Sequence, residues 1–241
     1  LAYQTALDHF ISGGTNRVIL CTDGDFNVGT TSDGALVGLV QDNARHDVFL
    51  SVLGFGMGNH NDAMLEQISN KGNGNYAFID TDNEARKVLV EQMSGTLVTI
   101  AKDVKIQVEF NPRTVAAYRL LGYENRLLAA EDFNDDTKDA GEIGAGHRVT
   151  ALYEVVPVGV ETEVNLSNVD PLRYQKKSEV TEAADSGELL TLKIRYKPPQ
   201  ADQSKLLAYA VTDGDQSFGA ASGDYKFATA VASFGMLLRD S

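Results

Sequence analysis

The residues best suited to chemistry lie in the acidic stretch "TDGDFN" at 22–27. This stretch follows the apolar run "RVILCT", which has the length and continuity of a strand buried on both sides in a parallel sheet. Open α/β sheets bind ligands just beyond the carboxyl ends of such strands. Asp23 is therefore placed to bind a hard cation directly or through water, and Asp25 and Asn27 add oxygen atoms to the same loop. The spacing fits a capped turn before the next helix equally well.

Two observations narrow what this acidic stretch can be. It is not an EF-hand loop, because position 6 from Asp23 is Val28 and position 12 is Gly34, where that loop needs glycine and glutamate. The letters TDGD return at 212–215, after "LLAYAV", where a hairpin or loop turn is predicted. Only the first copy is therefore a candidate metal loop.

A glycine-rich loop, "GFGMGN" at 54–59, offers a second candidate site. It follows a predicted strand and precedes a predicted helix, as phosphate-binding loops do. Its spacing, however, is G-x-G-x-G rather than G-x-G-x-x-G. We favour the interpretation that small residues let this loop pass close to the neighbouring acidic loop. Nucleotide binding stays open as the alternative.

The stretch "EDFNDDTKDAGEIGAG" at 131–146 is dense in carboxylates. Calcium binding is one interpretation, since Ca²⁺ prefers oxygen ligands. The EF-hand spacing is absent, and most acidic runs are solvated loops, so we favour a solvated loop between strands. The carboxylates are Glu131, Asp132, Asp135, Asp136, Asp139 and Glu142.

Bulk composition disfavours several classes of function. The 241-residue chain has a formal net charge of −13 and a pI near 4.7, which argues against binding to nucleic acid or to anionic lipid. No apolar run approaches the ~20 residues that a membrane helix needs. Catalysis has little support, because the four histidines lie far apart and no G-x-S-x-G motif occurs. Cys21, the single cysteine, is interpreted as a small core residue.

The elements that must position these residues change character near residue 102. Over 1–101, helices alternate with apolar strands, which predicts βαβ units and a parallel sheet. Over 102–241, strands with alternating apolar and polar residues predict a mostly antiparallel β domain, a sandwich. We therefore expect an α/β fold with two domains, 1–101 and 102–241.

Two predicted helices carry specific expectations. A long helix is expected over 82–101, with Asp80, Asp82 and Glu84 near its beginning, where negative charge opposes the helix dipole. A last helix is expected over 223–239. Its apolar stripe is expected to pack on the β domain or the first domain of its own chain, and docking on a partner is the alternative. The stripe consists of Phe227, Val231, Phe234 and Leu238.

Longer stretches of the chain resemble a known family. The stretches "NRVILCTDGDFNVG", "FLSVLGFGMGNHNDAMLEQISNKGNGNYAFID" and "EARKVLVEQMSGTLVTIAKDVKIQVEFNP" closely resemble bacterial von Willebrand factor type A domain proteins. The stretches "AAYRLLGYENRLLAAEDFNDDTKDAGEIGAGHRVTALYEVVPVG" and "FATAVASFGMLLRDS" resemble the domain of unknown function that follows the A domain in one bacterial subgroup. The resemblance covers nearly the whole chain.

This resemblance implies a doubly wound, Rossmann-like sheet with a metal-ion-dependent adhesion site at its top. That site combines a D-x-S-x-S motif, a separate threonine, and an aspartate after a later strand. Asp23 matches the aspartate, whereas no D-x-S-x-S motif occurs and the threonine belongs upstream of Leu1. We therefore expect a partial A domain that lacks its N-terminal part. Its strand edge at 17–22 would be exposed and available for self-association.

The resemblance implies a non-enzymatic adhesion or protein–protein interaction module in the bacterial cell envelope or periplasm, with membrane anchoring of the full-length protein. Its site would hold Mg²⁺ or Ca²⁺, and a carboxylate of a protein partner would complete the coordination. Asp25 and Asn27 are supporting residues at best. Because these ions need six or more oxygens, we expect no tight binding by this chain. A nucleotide-binding or hydrolytic enzyme and a metal-free scaffold subunit are the alternatives.

Overall fold

The chain forms two compact units in the computed structural model, which describes residues 1–23, 32–56, 62–92, 95, 97–123, 127–161 and 180–239. The first unit contains Leu1–Lys105, Asn134–Arg148 and Arg195–Lys205. The second unit contains Ile106–Phe133, Val149–Ile194 and Leu206–Ser241.

Helices and strands alternate in the first part of the chain, and strands prevail in the second. The helices are α1 (Ala2–Asp8), α2 (Asp33–Ala44), α3 (Asp62–Lys71), α4 (Asp82–Arg86), which continues as a π-helical turn at Lys87–Glu91, and α5 (Gly223–Arg239). The strands are β1 (Asn16–Thr22), β2 (Val48–Phe55), β3 (Tyr76–Ile79), β4 (Thr99–Phe110), β5 (Val115–Leu121), β6 (Gly141–Gly144), β7 (Leu152–Pro157), β8 (Leu190–Lys197) and β9 (Lys205–Val211).

The first unit is built around a parallel sheet in the order β1-β2-β3. The central strand β2 is almost wholly buried, which explains its uninterrupted apolar sequence. The helices α2 and α3 pack their apolar sides on this sheet. The predicted βαβ units and parallel sheet are thus confirmed. The core consists of Val40, Leu50, Val52, Met64, Leu65 and Ile68.

The end of α3 lies against the central strand. A Cβ atom on Gly74 would come within 1.8 Å of the Leu50 carbonyl oxygen, so only glycine fits at this position. Asn73, just before it, has a left-handed φ of 50°. The Gly74 N–H donates to the Ser69 carbonyl (2.9 Å), which closes the helix.

Strand β1 is less buried than its apolar sequence predicts. Among the described strands it pairs with β2 alone, so it lies at an edge of the sheet, as expected for 17–22. Ile19 is 42% exposed, and Cys21 is exposed. The predictions that this strand is buried on both sides and that Cys21 is a core residue are therefore wrong. Within the described part of the chain, nothing completes the cover over this edge strand.

The helix expected over 82–101 is shorter than predicted. The π-helical turn ends at Glu91, Gly95 and Leu97 are again helical, and β4 begins at Thr99. The β-branched residues at 98–100 favour an extended strand. Periodicity alone cannot distinguish the last turns of a helix from the first residues of a strand.

The beginning of α4 is close to the expected arrangement. The N-cap is Thr81, whose Oγ1 accepts a hydrogen bond from the Glu84 N–H at 3.2 Å. Asp82 and Glu84 lie in the first turn, where negative charge stabilises the helix dipole. Asp80 precedes the cap and is exposed.

The remaining strands form a four-stranded sheet, in the order β6-β4-β8-β9, and an antiparallel pair, β5-β7. In the second unit the Phe110 ring lies 4.3 Å from the Tyr118 ring and 5.4 Å from the Tyr153 ring, between centroids. Phe110, Val115 and Phe133 are buried. These aromatic residues therefore pack within the β structure, and the mixed α/β fold class is confirmed.

The last helix, α5, occupies the predicted range 223–239 but does not bury its apolar stripe. The residues half-buried toward its own unit include Ala228, Ala232 and Met236, and the Met236 sulfur lies 3.6 Å from the Arg119 Nη2. The expectation that the stripe packs on the β domain is wrong. The large apolar side chains point away from it.

Candidate functional site

The carboxyl ends of β1, β2 and β3 meet at one edge of the parallel sheet. Thr22 lies opposite Gly54, and Gly54 lies opposite Phe78, so all three strands end at nearly the same level. Asp23 follows the first of these strands and Asp80 the third. Two strand spacings, about 10 Å, separate these two positions. This edge is where a parallel sheet presents polar groups to a ligand.

Asp23 lies at this edge with an exposed side chain. Asp25 and Asn27 fall outside the described residues, and so do residues 57–59 of "GFGMGN". In the part of the chain that the structure describes, no three His, Cys, Asp or Glu side chains gather to hold a metal ion. Asp23 can supply one or two oxygen atoms, and a Mg²⁺ or Ca²⁺ site needs about six or more. The described residues therefore fit such an ion only in part.

A tyrosine–aspartate pair below this edge was not anticipated from the sequence. The Tyr76 hydroxyl donates a hydrogen bond to Asp62 Oδ1 at 2.5 Å. A Cβ atom on Gly54 would lie 3.0 Å from the same hydroxyl, so the absence of a side chain there makes room for it. Burial, the hydrogen bond to Asp62 and the charges of Asp62 and Glu66 raise the pKa of Tyr76 above its ordinary value. The pair connects β3 to the first turn of α3.

The acidic loop at 131–146 is held together by its own polar contacts. Asp135 Oδ1 accepts hydrogen bonds from the Thr137 hydroxyl (2.7 Å) and N–H (2.8 Å), and these bonds lower the pKa of Asp135. Asp136 Oδ2 accepts from the Ser204 N–H at 3.1 Å, and hydrogen bonding from the Ser204 hydroxyl and N–H lowers the pKa of Asp136. The carboxylates thus replace backbone partners in a structured turn.

Lysine side chains supply the positive charge in this region. Lys197 Nζ lies 2.6 Å from Asp103 Oδ2 and 2.8 Å from the Asp136 carbonyl oxygen. Lys71 pairs with Asp139 at 3.0 Å, and Lys105 donates to a backbone carbonyl of the loop. Protein ammonium groups therefore occupy positions beside oxygen atoms that the calcium interpretation would assign to an ion.

Glu142, on β6, differs from the other acidic residues of the loop. Both of its carboxylate oxygens are buried, and neither has a hydrogen-bond partner among the described residues. Burial, followed by the charges of Asp103 and Asp139, raises its pKa to about 8. The backbone amide of Asp103 and the Lys102 ammonium oppose this shift without reversing it. Burial thus favours the protonated form of Glu142 relative to an ordinary glutamate.

Arg17 lies near Glu142 inside the first unit. Its Nη1 donates to the Ser51 hydroxyl at 2.7 Å, and its Nη2 donates to the Thr99 hydroxyl at 3.1 Å. Burial lowers its pKa to about 10, and the Glu142 carboxylate acts in the opposite direction. Arg17 thereby connects the parallel sheet to β4. This buried polar group lies toward the amino end of β1, away from Asp23.

The side chains of two histidines contact backbone carbonyls nearby in sequence. His9 Nδ1 lies 3.0 Å from the Thr5 carbonyl oxygen, and His46 Nδ1 lies 2.6 Å from the Asp42 carbonyl oxygen, each within one helical turn. Cys21 lies on the edge strand. Among the described helices, none has both the length and the apolar character to cross a membrane.

Sequence comparison places the chain in a family. The family described as "Uncharacterized protein YfbK, C-terminal" matches residues 95–241, and the chain belongs to this family. It is also 44% identical, over all 241 residues, to "Uncharacterized protein YfbK" of Escherichia coli (strain K12). The chain spans 40% of the length of that curated relative.

Solved structures with partial similarity include two bacterial proteins. One, titled "von Willebrand factor type A from Catenulispora acidiphila", is 13% identical, with a TM-score of 0.37, over 88% of this chain and 46% of its own. The other, conserved hypothetical protein BatB from Bacteroides thetaiotaomicron, is 23% identical, with a TM-score of 0.32, over 38% of this chain and 55% of its own. Because both TM-scores are low, the family assignment rests on the sequence matches alone.

Proposed function

We propose that this chain is the C-terminal part of a von Willebrand A-type interaction protein, and that Asp23 belongs to its partner-binding site. The position of Asp23 carries the proposal. An exposed carboxylate follows a parallel strand directly, at the edge where open α/β sheets bind ligands. The resemblance of the flanking sequence to the adhesion-site loop supports the same assignment. We further propose that the role is protein–protein interaction rather than catalysis.

In this proposal Asp23 supplies an oxygen ligand, either directly or through water. A bound Mg²⁺ or Ca²⁺ would supply the positive charge that recognises a carboxylate of the protein partner. The parallel pairing of β1 with β2 places Thr22 opposite Gly54, so Asp23 follows directly at the carboxyl edge of the sheet. The other ligands must come from outside the described residues, because Asp23 alone provides too few oxygens.

The test measures Mg²⁺ binding to the intact protein by calorimetry. Asp23→Ala should weaken binding about tenfold or more, because removal of a ligand-sphere group typically costs that much. Asp80→Ala is the matched control, since Asp80 is also exposed and follows a strand of the same sheet. It should leave the affinity within about twofold. Equal affinity of the wild type and the Asp23 variant would refute the assignment.

The 241-residue chain on its own provides a second measurement. If the missing ligands lie elsewhere in the intact protein, the isolated chain should bind Mg²⁺ only at millimolar concentrations or above. Micromolar binding by the chain alone would contradict the proposal that its site is incomplete.

A metal-free scaffold is the second candidate function. The observation that favours it is that the described carboxyl edge brings together no cluster of three acidic or histidine ligands. The scaffold predicts that Mg²⁺ and a chelator leave both partner binding and thermal stability unchanged. Thermal stabilisation by a nucleotide, in contrast, would favour the enzyme alternative based on "GFGMGN".

We also propose, from the family resemblance, that the intact protein resides in the cell envelope or periplasm. Fractionation of cells that express it should recover it with the periplasm or membranes. Recovery in the cytosol alone would contradict this location.

A further inference from the structure

The helix α5 presents an apolar stripe to solvent. Phe227 is 73% exposed, Phe234 is 63% exposed and Leu238 is 72% exposed, with Val231 between them at 54%. At about 100° per residue these four side chains fall within an arc of about 60° on the helix. A stripe this narrow and continuous is the pattern that helices normally cover with another element.

The side of α5 that faces its own unit differs from the exposed stripe in the size of its side chains. Ala228 and Ala232 are half-buried there, together with the larger Met236. The helix thus approaches the β structure with two alanines and one methionine, whereas all four stripe residues are more than half exposed. If α5 served only to cover its own unit, the phenylalanines would be expected on the inner side.

An apolar groove runs along one flank of this stripe. It has a volume of about 420 Å³ and lies between α5 and the β5-β7 pair. Phe227 and Val231 contribute to both the stripe and the groove, so the two form one continuous surface. On the strand side the groove is lined by Leu121 and Leu152, and on the helix side also by Ala228 and Ala232.

The exposed area matches what a small, specific dimer needs. With about 200 Å² for a whole aromatic residue, Phe227 and Phe234 alone expose roughly 270 Å². Together with Val231, Leu237 and Leu238, the patch reaches on the order of 600 Å², at the upper limit for a monomer surface. Two such patches facing each other would bury about 1,200 Å², the lower end of specific interfaces.

The charges at the two ends of α5 select one arrangement of two copies. Asp224 lies in the first turn and Arg239 in the last. In an antiparallel pair related by a two-fold axis, Asp224 of one copy comes beside Arg239 of the other, at both ends of the contact. This arrangement also places the positive end of each helix dipole beside the negative end of the other, which is favourable. The axis then passes near Val231.

We propose that α5 is a homodimerisation surface, on which a second copy of the chain lies antiparallel, with the two apolar stripes in contact. In the antiparallel register, Phe234 of one copy faces the groove beside Ala228 and Val231 of the other. The small residues there leave room for the ring. The strongly negative net charge of the chain argues against an anionic lipid surface as the partner that covers this stripe.

The first test compares the dissociation of wild type and variants by sedimentation equilibrium. Phe234→Asp should raise the dimer dissociation constant by about 30-fold or more, because it places two desolvated carboxylates near the two-fold axis. Tyr209→Asp is the control, since Tyr209 is also an exposed aromatic residue but lies on β9. It should leave the dissociation constant within about threefold. Circular dichroism should show both variants folded.

The second test, chemical crosslinking in a Cys21→Ser background, does not depend on a destabilising charge. A short bifunctional maleimide should link two copies of the Val231→Cys variant, because facing helices lie about 8–10 Å apart. Tyr225→Cys, about 120° around the helix from Val231, should not be linked. A monomeric wild type, or dissociation caused by Tyr209→Asp or by Ile19→Lys on β1 but not by Phe234→Asp, would overturn the proposal.

Discussion

Two helices of this chain, α3 and α5, have similar apolar patterns, but only α3 buries its apolar side chains. In α3 the apolar residues Met64, Leu65 and Ile68 are buried against the parallel sheet. The longer helix α5 has no buried residue, although Phe227 and Phe234 are larger than any side chain in the α3 stripe. Helical periodicity therefore identifies which face is apolar, but it does not identify the surface that covers that face.

The same contrast extends to charge. The first unit buries Arg17 and Glu142 in its interior, whereas the exposed surface of α5 is largely apolar. Hydrophobic burial in α3 should make the first unit sensitive to mutation, and its buried ionisable groups should make it sensitive to pH. The apolar face of α5 should be nearly indifferent to both in the isolated monomer.

The largest expected effect comes from truncating a buried leucine of α3. Leu65→Ala should lower the free energy of unfolding by about 2–5 kcal/mol, because it leaves a cavity beside the sheet. The matched control is Leu237→Ala in α5, where the leucine is exposed and the cost should stay within about 0.5 kcal/mol. Urea denaturation of monomeric protein, followed by circular dichroism, measures both. Equal losses for the two variants would remove the contrast between the helices.

A smaller effect is expected from the buried acid. The pKa of Glu142 is about 8 in the folded chain and 4.5 in its ordinary state, so the folded state binds more protons between these values. Stability contributed by neutral Glu142 is full below pH 4.5 and is lost as the pH rises toward 8 and above. Glu142→Gln should therefore stabilise the chain by about 1–3 kcal/mol at pH 8 and change little at pH 4.5.

Denaturation curves of wild type and the Glu142→Gln variant at several pH values provide the measurement. Glu131→Gln, at an exposed acid of the same loop, is the control and should leave the pH dependence of the stability unchanged. A variant whose stability follows the wild type in parallel from pH 4.5 to 8 would show that Glu142 is not the titrating group.

The smallest effect concerns the connection between β3 and α3. Tyr76→Phe removes the hydroxyl that donates to Asp62, which should cost about 1 kcal/mol. Tyr209→Phe, on β9, is the control and should be neutral, since the described residues offer its hydroxyl no hydrogen bond. Thermal melting of the two variants distinguishes them. A neutral Tyr76→Phe would mean that packing alone holds the first turn of α3.

Sequence reasoning succeeded where local pattern and final environment agree. The range of α5 at 223–239 and the parallel arrangement of β1, β2 and β3 follow from periodicity and from apolar strands separated by helices. It failed where a distant surface decides the outcome. Cys21 lies in an apolar run, yet its exposure depends on which strands flank β1.

The polar contacts were the least predictable part of the candidate sites. Asp62 and Tyr76 are 14 residues apart, and only the folded register of β2 with β3 brings the tyrosine past Gly54 to the aspartate. Calcium binding stayed open as an alternative for the acidic loop because its lysine partners, such as Lys197, are distant in sequence. For Asp23, the proposed ligand role comes from the sequence resemblance. The fold adds that Asp23 follows β1 at the carboxyl edge of the sheet.

The lysine contacts of the acidic loop have a practical consequence for chelation. Because Lys71, Lys105 and Lys197 are covalently part of the chain, the counter-charge of this loop cannot be removed by EDTA or dialysis. The structure of the loop should therefore be the same in chelator and in calcium buffer. Any change that EDTA causes in the intact protein would then originate outside this loop.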